Sequence, residues 1–242
     1  MKIINELVKY QYKQYVLSAK YLVPLIGLLA VFQVMYSIMP IDIVINFMLM
    51  SLILFIIMVG VGMTCQRIEP EVSEQIIILR IQSERKYYIG QVIFFAVLSG
   101  MVALLSLCYP VIDHYLNGKM LFTRNIQPSD IIGGFLLMFV YSFVGCMAGV
   151  IFSPRVIRNR EAGIIMTIMC AMISVVKIGI VAEAPMLKYI LWIVPPVSDV
   201  VRWFMEDEYF QMVKVLEAFF LLMAYGCVLA VIKVEVSRIR KF

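Results

Sequence analysis

The chain has 242 residues, of which 63% are hydrophobic and 15% charged, with a mean hydropathy of +0.95 and a net charge of +5. A soluble globular domain is nearer half apolar, so the composition argues against one and favours a membrane protein with several spans. The positive charges form no basic patch interleaved with aromatic residues, which argues against nucleic-acid binding. We expect residues 1–242 to form a single domain, because the apolar segments must pack together.

The N-terminal residues 1–20 are expected to form a helix that lies along the membrane surface. Apolar residues recur at helical spacing from Ile4 to Ala19, and lysines occupy the other face. The segment lacks the compact apolar core and the cleavage site of a signal peptide. The alternative is a cytosolic helix that packs on the protein itself.

Six segments are long and apolar enough to cross a bilayer, since a spanning helix needs about 20 mostly apolar residues. They are 21–39, 43–65, 89–112, 130–152, 163–183 and 210–232. Pro24 stands near the start of the first span, where proline is tolerated. The sequence therefore predicts an all-α membrane protein with six transmembrane helices.

The distribution of lysine and arginine between the loops indicates the orientation. With the N-terminus inside, the inner segments hold fifteen of these residues and the outer loops hold four. The four outer residues are Lys119, Arg124, Lys188 and Arg202. We therefore expect a multi-pass protein of the cell membrane with both termini in the cytoplasm.

The segment 66–90 joins the second and third predicted spans and carries mixed charges. Pro70 suits the first turn of a helix. Glu71 and Glu74 favour the positive end of the helix dipole, and Arg80 lies toward its negative end. One face carries an apolar stripe, formed by Val72, Ile76 and Leu79. The segment predicts a short amphipathic helix on the cytoplasmic surface.

The segment 184–209 fits neither a loop nor a span. Two short apolar pieces are separated by Pro195 and Pro196, and both tryptophans of the chain, Trp192 and Trp203, lie here. Because tryptophan favours the membrane–water boundary, we predict two short helices that enter the outer leaflet as a re-entrant hairpin. The alternative is a surface loop with a hydrophobic patch.

Two charges lie inside predicted spans, Lys177 in the fifth and Glu217 in the sixth. A rise of about 1.5 Å per residue puts both at a similar depth, so we hypothesise an ion pair within the chain or across a dimer. The alternative is that Lys177 reaches the headgroups and Glu217 lines a wet vestibule. Gly145 and Gly149 form a GxxxG motif, which favours close helix packing, more often within one chain than between two.

The sequence contains no GxxxxGK[ST] phosphate loop, no HExxH and no GxSxG motif. We therefore expect a protein that is not an enzyme, binds no metal and does not itself couple ATP through a P-loop. His114 is the only histidine and is expected in a solvated loop. The cysteines lie in or beside apolar segments and are expected to be small core residues: Cys65, Cys108, Cys146, Cys170 and Cys227.

The residues from Glu74 to Gly90, EQIIILRIQSERKYYIG, resemble a pattern found in the permease subunits of small ABC exporters of the type V architecture. That pattern, E-x-L-L-x-x-P-x-S-R followed by an aromatic and a small residue, marks the coupling helix between spans two and three; its proline is missing here. The layout of the whole chain is also similar, with a surface helix before six spans and an outer re-entrant hairpin at 184–209. The loop 153–161 corresponds to a second coupling element.

This resemblance implies a membrane-spanning subunit that forms the translocation path as a dimer, with a second copy or a paralogue. A separate cytosolic ABC ATPase is the implied partner, and it would bind the ATP and Mg while this chain binds no cofactor. The residues implied to contact the ATPase are Glu71, Val72, Glu74, Gln75, Ile76, Leu79, Arg80, Glu84, Arg155, Arg158 and Arg160. The residues implied to form the outer gate are Trp192, Pro195, Pro196 and Trp203.

The implied cargo is an amphipathic peptide, since small permeases of this kind often export antimicrobial or toxin peptides. The methionine-rich spans are compatible with such a cargo, because methionine surfaces adapt to varied partners, although most of these residues are expected to be lipid-facing filler. The competing functions are an ATP-independent carrier or channel and a membrane scaffold. A carrier would favour internal repeats, which we do not detect.

Overall fold

The computed structural model describes residues 2–37, 39–66, 68, 70–116, 120–152, 159–189 and 191–239. Within these residues the chain is helical, with one isolated bridge between Ile41 and Phe122. The helices are α1 (Lys2–Leu17), α2 (Leu22–Met35), α3 (Ile43–Cys65), α4 (Glu71–Ile81), α5 (Glu84–Leu116), α6 (Pro128–Ile151), α7 (Arg160–Glu183), α8 (Val197–Phe204) and α9 (Met212–Ile239). Two 3-10 turns, Pro185–Tyr189 and Leu191–Ile193, precede α8.

Five helices of the described residues are long and apolar enough to cross a membrane: α3, α5, α6, α7 and α9. They confirm an all-α membrane protein and match the second to sixth predicted spans, with shifted ends. The third begins at Glu84 instead of residue 89, because Tyr87 and Tyr88 are buried within its first turns. At 33 residues α5 is about 50 Å long, which exceeds the hydrocarbon core of a bilayer.

The first predicted span is shorter in the structure than in the sequence prediction. Helix α2 has 14 residues, about 21 Å, and α1 meets it at an angle of 74°. The bend falls at Ala19, whose φ of 54° is left-handed and interrupts the helix. A sixth span exists only if α1 and α2 together count as one crossing, so the six-span topology stays a prediction.

The centre of the bundle is α6, in which every residue from 140 to 150 is buried. Gly145 and Gly149 let its backbone approach α3, where their α-carbons face the carbonyl groups of Phe55 and Val59. From the other side, a Cβ added at Gly62 would lie 2.5 Å from the carbonyl oxygen of Cys146. The GxxxG motif therefore packs within the chain, as the sequence favoured.

The N-terminal helix α1 packs on the protein along one face. Leu7, Gln11 and Tyr15 are buried, with Leu7 against Gly90 and the Tyr15 ring 6.0 Å from that of Phe94. Outside this face the side chains are exposed, among them Tyr12 and Leu17. The structure thus shows the packed alternative for one side of α1, and leaves the other side available to a membrane surface.

The expectations for histidine and cysteine were partly wrong. His114 is buried in the last turn of α5, because the ring of Phe122, which precedes α6, packs 5.1 Å from the histidine ring. Cys146 is buried in α6, but Cys108 and Cys227 are exposed on the outward faces of α5 and α9. Helical spacing alone does not distinguish a core position from a lipid-facing one in a wholly apolar helix.

Candidate functional site

Helix α4 forms where the sequence signals predicted it. It begins after Pro70, which has extended backbone angles, and it ends at Gln82, whose φ of 56° is left-handed. Arg80 lies in its last turn, near the negative end of the helix dipole. The helix is a separate element between the two longer helices α3 and α5, outside the apolar bundle.

The inner face of α4 is fixed to the bundle by isoleucines. Ile77, Ile78 and Ile81 pack against a buried cluster that contains Tyr87 and Tyr88 of α5. The same cluster includes Leu7 of α1 and Val234 of α9. The inner face of α4 is therefore connected to three helices of the bundle.

The outer face of α4 carries the predicted apolar stripe, which points away from the protein. Val72, Ile76 and Leu79 are 66%, 59% and 75% exposed. Arg80 is exposed beside them, and Gln75 is half-buried. An exposed aliphatic stripe on a short helix that is anchored from behind is typical of a surface that contacts another protein or a membrane.

Glu74 lies on the other side of α4 from the stripe. It is 9% exposed and lines a cavity of about 50 Å³ between α4, α1, α3 and α5. Gln11 and Gln91 line the same cavity. A volume of this size accommodates a water molecule, and the lining supplies polar partners for it. Glu74 therefore packs on the inner side of α4. It is separated from the exposed residues of α4 that, like Glu74, were expected to contact the ATPase.

The other predicted contact residues are scattered or lie outside the described residues. Glu71 is the first residue of α4, and Glu84 is the half-buried first residue of α5. Arg160 is the first residue of α7, which is capped by the Asn159 side chain accepting from the Glu161 amide at 3.0 Å. Two residues of the second predicted contact loop, Arg155 and Arg158, lie outside the described residues.

The sequence suggested Glu217 as the partner of Lys177, and within the chain this prediction was wrong. The Nζ of Lys177 lies 2.7 Å from Oδ2 of Asp199, in the first turn of α8, and Lys177 is only 5% exposed. Glu217 is instead exposed on the surface of α9. The reason is the fold of 184–209, which packs α8 against α7 and so places Asp199 beside Lys177. The sequence signal was present, since Asp199 follows Pro196 as an acidic first-turn residue.

Where the sequence predicted two short helices in 184–209, the described residues of this segment form two 3-10 turns and one α-helix. Its first part forms the two 3-10 turns, and its second part is α8, which buries Val197, Val200, Val201 and Phe204. The Tyr141 hydroxyl of α6 donates to the Val197 carbonyl at 2.7 Å, and the Tyr225 hydroxyl of α9 donates to the Trp192 carbonyl at 2.7 Å. These bonds tie the segment to the bundle.

The four predicted gate residues face in opposite directions. Pro195 and Pro196 are buried, whereas Trp192 and Trp203 are exposed. The prolines therefore shape the backbone between the 3-10 turns and α8. The tryptophans lie where a membrane boundary or a partner could contact them.

A clamp around Arg124 was missed by the sequence reasoning. Its guanidinium donates two hydrogen bonds to Asp130, at 2.6 and 2.9 Å, and two to the Glu208 carbonyl, at 3.1 and 2.9 Å. The Tyr209 ring lies 4.2 Å from the guanidinium carbon. The hydrogen bonds to Asp130 raise the pKa of Arg124 above its usual value. The clamp joins the loop before α6 to the loop after α8.

Within the described residues, no three histidine, cysteine or acidic side chains are grouped so that they could hold a metal ion.

Comparisons of the chain with protein-family models, with curated proteins and with solved structures found no match.

Proposed function

We propose that this chain is the membrane-spanning subunit of an ATP-driven ABC exporter, which a separate cytosolic ATPase drives through α4. The observation that carries the proposal is the exposed stripe of Val72, Ile76 and Leu79. Three aliphatic side chains on a helix outside the apolar bundle need a partner that covers them, and the resemblance of Glu74–Gly90 to a coupling helix indicates which kind.

The anchoring of α4 supports a role in transmitting motion. Its isoleucines contact a cluster contributed by α1, α5 and α9, so a displacement of α4 would be felt by all three. Close-packed side chains transmit displacement because they leave little space to absorb it. The coupling that we propose therefore requires both faces of α4, the outer for binding and the inner for transmission.

The packing of α6 supports a dimer. Residues 140–150 fill the middle of the bundle, so a path for cargo fits better between two copies than within one. The partner copy is a second chain of the same sequence or a paralogue. For the cargo we propose an amphipathic peptide, which a screen for peptides that stimulate the ATPase would test.

The test is binding to a cytosolic ATPase encoded by a neighbouring gene. Leu79→Glu places a charge in the exposed stripe and should abolish co-purification and stimulated ATP hydrolysis. Leu116→Glu is the matched control, because Leu116 is 79% exposed at the opposite end of α5 while Leu79 is 75% exposed. The control should retain both activities.

Equal behaviour of the two variants would contradict the coupling role of α4. Transport by the purified chain without any ATPase would instead support a carrier or channel. Stable association without stimulated hydrolysis would favour a membrane scaffold.

A further inference from the structure

An apolar groove of about 410 Å³ opens between α1, α2, α3 and α5. Its walls are aliphatic, with Leu25 from α2, Ile57 from α3, and Met101 and Leu105 from α5. Along α5 the lining runs from Leu98 to Leu105, which is about 10 Å of helix. The volume is within the range of small-molecule sites, and the lining makes it a site for an apolar ligand.

The bend between α1 and α2 accounts for the groove. Because the two helices meet at 74°, α2 contacts the bundle mainly through Leu28 and Phe32, and its first turns stand apart from α3 and α5. The groove lies beside α3 and α5, which are both apolar enough to span a bilayer. Its surroundings are therefore hydrocarbon, and the occupant that a bilayer supplies there is an acyl chain.

The α1 end of the groove has the chemistry of a headgroup site. Tyr12 and Val16 line the groove, and Lys9 and Lys13 share their helix face at i, i+3, i+4 and i+7 spacing. Both lysines are exposed, and Lys9 also lies 3.3 Å from Glu6. Residues 2–20 contain four lysines and one glutamate, a net charge of +3, which attracts anionic lipid.

We propose that the groove binds one anionic phospholipid. One acyl chain occupies the space between α2, α3 and α5, and the phosphate lies over Lys9 and Lys13. Tyr12, Tyr15 and Tyr21 line the same end, where an aromatic ring with a polar tip suits the boundary between acyl chain and headgroup.

The headgroup half of the proposal is tested by lipid competition. The purified full-length chain, in vesicles of equal phosphatidylglycerol and phosphatidylcholine, should retain phosphatidylglycerol preferentially when its bound lipid is measured by native mass spectrometry. Lys9→Gln with Lys13→Gln should reduce this preference about thirtyfold. Lys188→Gln with Arg202→Gln, which removes two exposed cations of the segment 184–209, should leave the preference unchanged. An equal effect of both double variants would overturn the headgroup site.

The acyl-chain half is tested by photolabelling with phosphatidylglycerol that carries a diazirine in its acyl chain. Met101→Trp fills the groove and should remove labelling from α2 and α3. Leu104→Trp is the matched control, because Leu104 is 54% exposed on α5 outside the groove. Labelling that is unchanged in Met101→Trp, or evenly spread over the lipid-facing helices, would overturn the proposal. A photocrosslinker at Leu25 that joins two chains instead of lipid would also overturn it, and would assign the groove to a second copy.

Discussion

At the scale of single residues, the ion pair between Lys177 and Asp199 is the clearest case of a charge that the fold compensates. The Lys177 side chain is 7% exposed, whereas the Asp199 side chain is 38% exposed. The two groups therefore depend on each other unequally. Removing the aspartate leaves a buried cation without its partner, but removing the lysine leaves a carboxylate that water can reach.

We expect Asp199→Asn to lower the stability of the protein by about 2 kcal/mol, a value reduced for the partial exposure of the aspartate. Lys177→Met should cost less, and the double variant should recover most of the loss. Thermal unfolding of the purified protein in detergent measures all three. Glu217→Gln changes an exposed carboxylate and should leave the midpoint unchanged.

The pairing would be refuted by an Asp199→Asn variant that unfolds at the wild-type temperature. A large loss in Glu217→Gln would instead revive the hypothesis that Glu217 is the partner of Lys177, across a dimer.

At the scale of elements, two glycines of α3, Gly60 and Gly62, have different surroundings, and only Gly62 lies at the contact with α6. A Cβ at Gly62 would lie 2.5 Å from the Cys146 carbonyl oxygen, whereas a Cβ at Gly60 would meet no atom within 4 Å. The first glycine permits close approach of two backbones, and the second lies on the open side of α3. Both are glycines of the same apolar segment, and only the packing distinguishes them.

Gly62→Ala should therefore destabilise the protein by about 2 kcal/mol, because α3 and α6 would have to separate. Gly60→Ala should be neutral or stabilise it by up to about 1 kcal/mol through helix propensity. Thermal unfolding of the two variants gives the comparison. Equal midpoints would mean that the α3–α6 seam tolerates the extra methyl group and is looser than the structure shows.

At the scale of the whole molecule, the number of crossings decides on which side each terminus lies. Five spans put the N- and C-termini on opposite sides of the membrane, and six put them on the same side. The difference rests on the α1–α2 pair, which crosses as a bent unit or not at all. The excess of lysine and arginine in alternate loops favours six.

We expect tags at both termini to be accessible only from the cytoplasmic side, and Lys188 to react with an impermeant amine reagent from the outside. Protease digestion of oriented vesicles measures the accessibility of the tags, and mass spectrometry measures the extent of labelling at Lys188. Lys86, in the first turn of α5, is the control and should react only after the vesicles are opened. Tags found on opposite sides would refute the six-span topology.

The sequence by itself determined the class of the protein, the positions of five apolar helices and the existence of α4. Each depends on local signals, which are the length of an apolar run and the residues that start and stop a helix, and these need no knowledge of neighbours. The Gly145 and Gly149 motif also predicted close packing, because small residues have few other uses in a span.

Only the tertiary structure decided which side of each helix faces the protein. It turned Glu74 inward and Leu79 outward, paired Lys177 with Asp199, and closed the clamp of Arg124 on Asp130 and the Glu208 carbonyl. The physical reason is that these contacts join residues distant in the chain, and apolar spans surrounded by lipid lack the polar face that marks orientation in a soluble helix. The partner of a buried charge is set by which element of the fold packs beside it, and that depends on how the whole bundle packs.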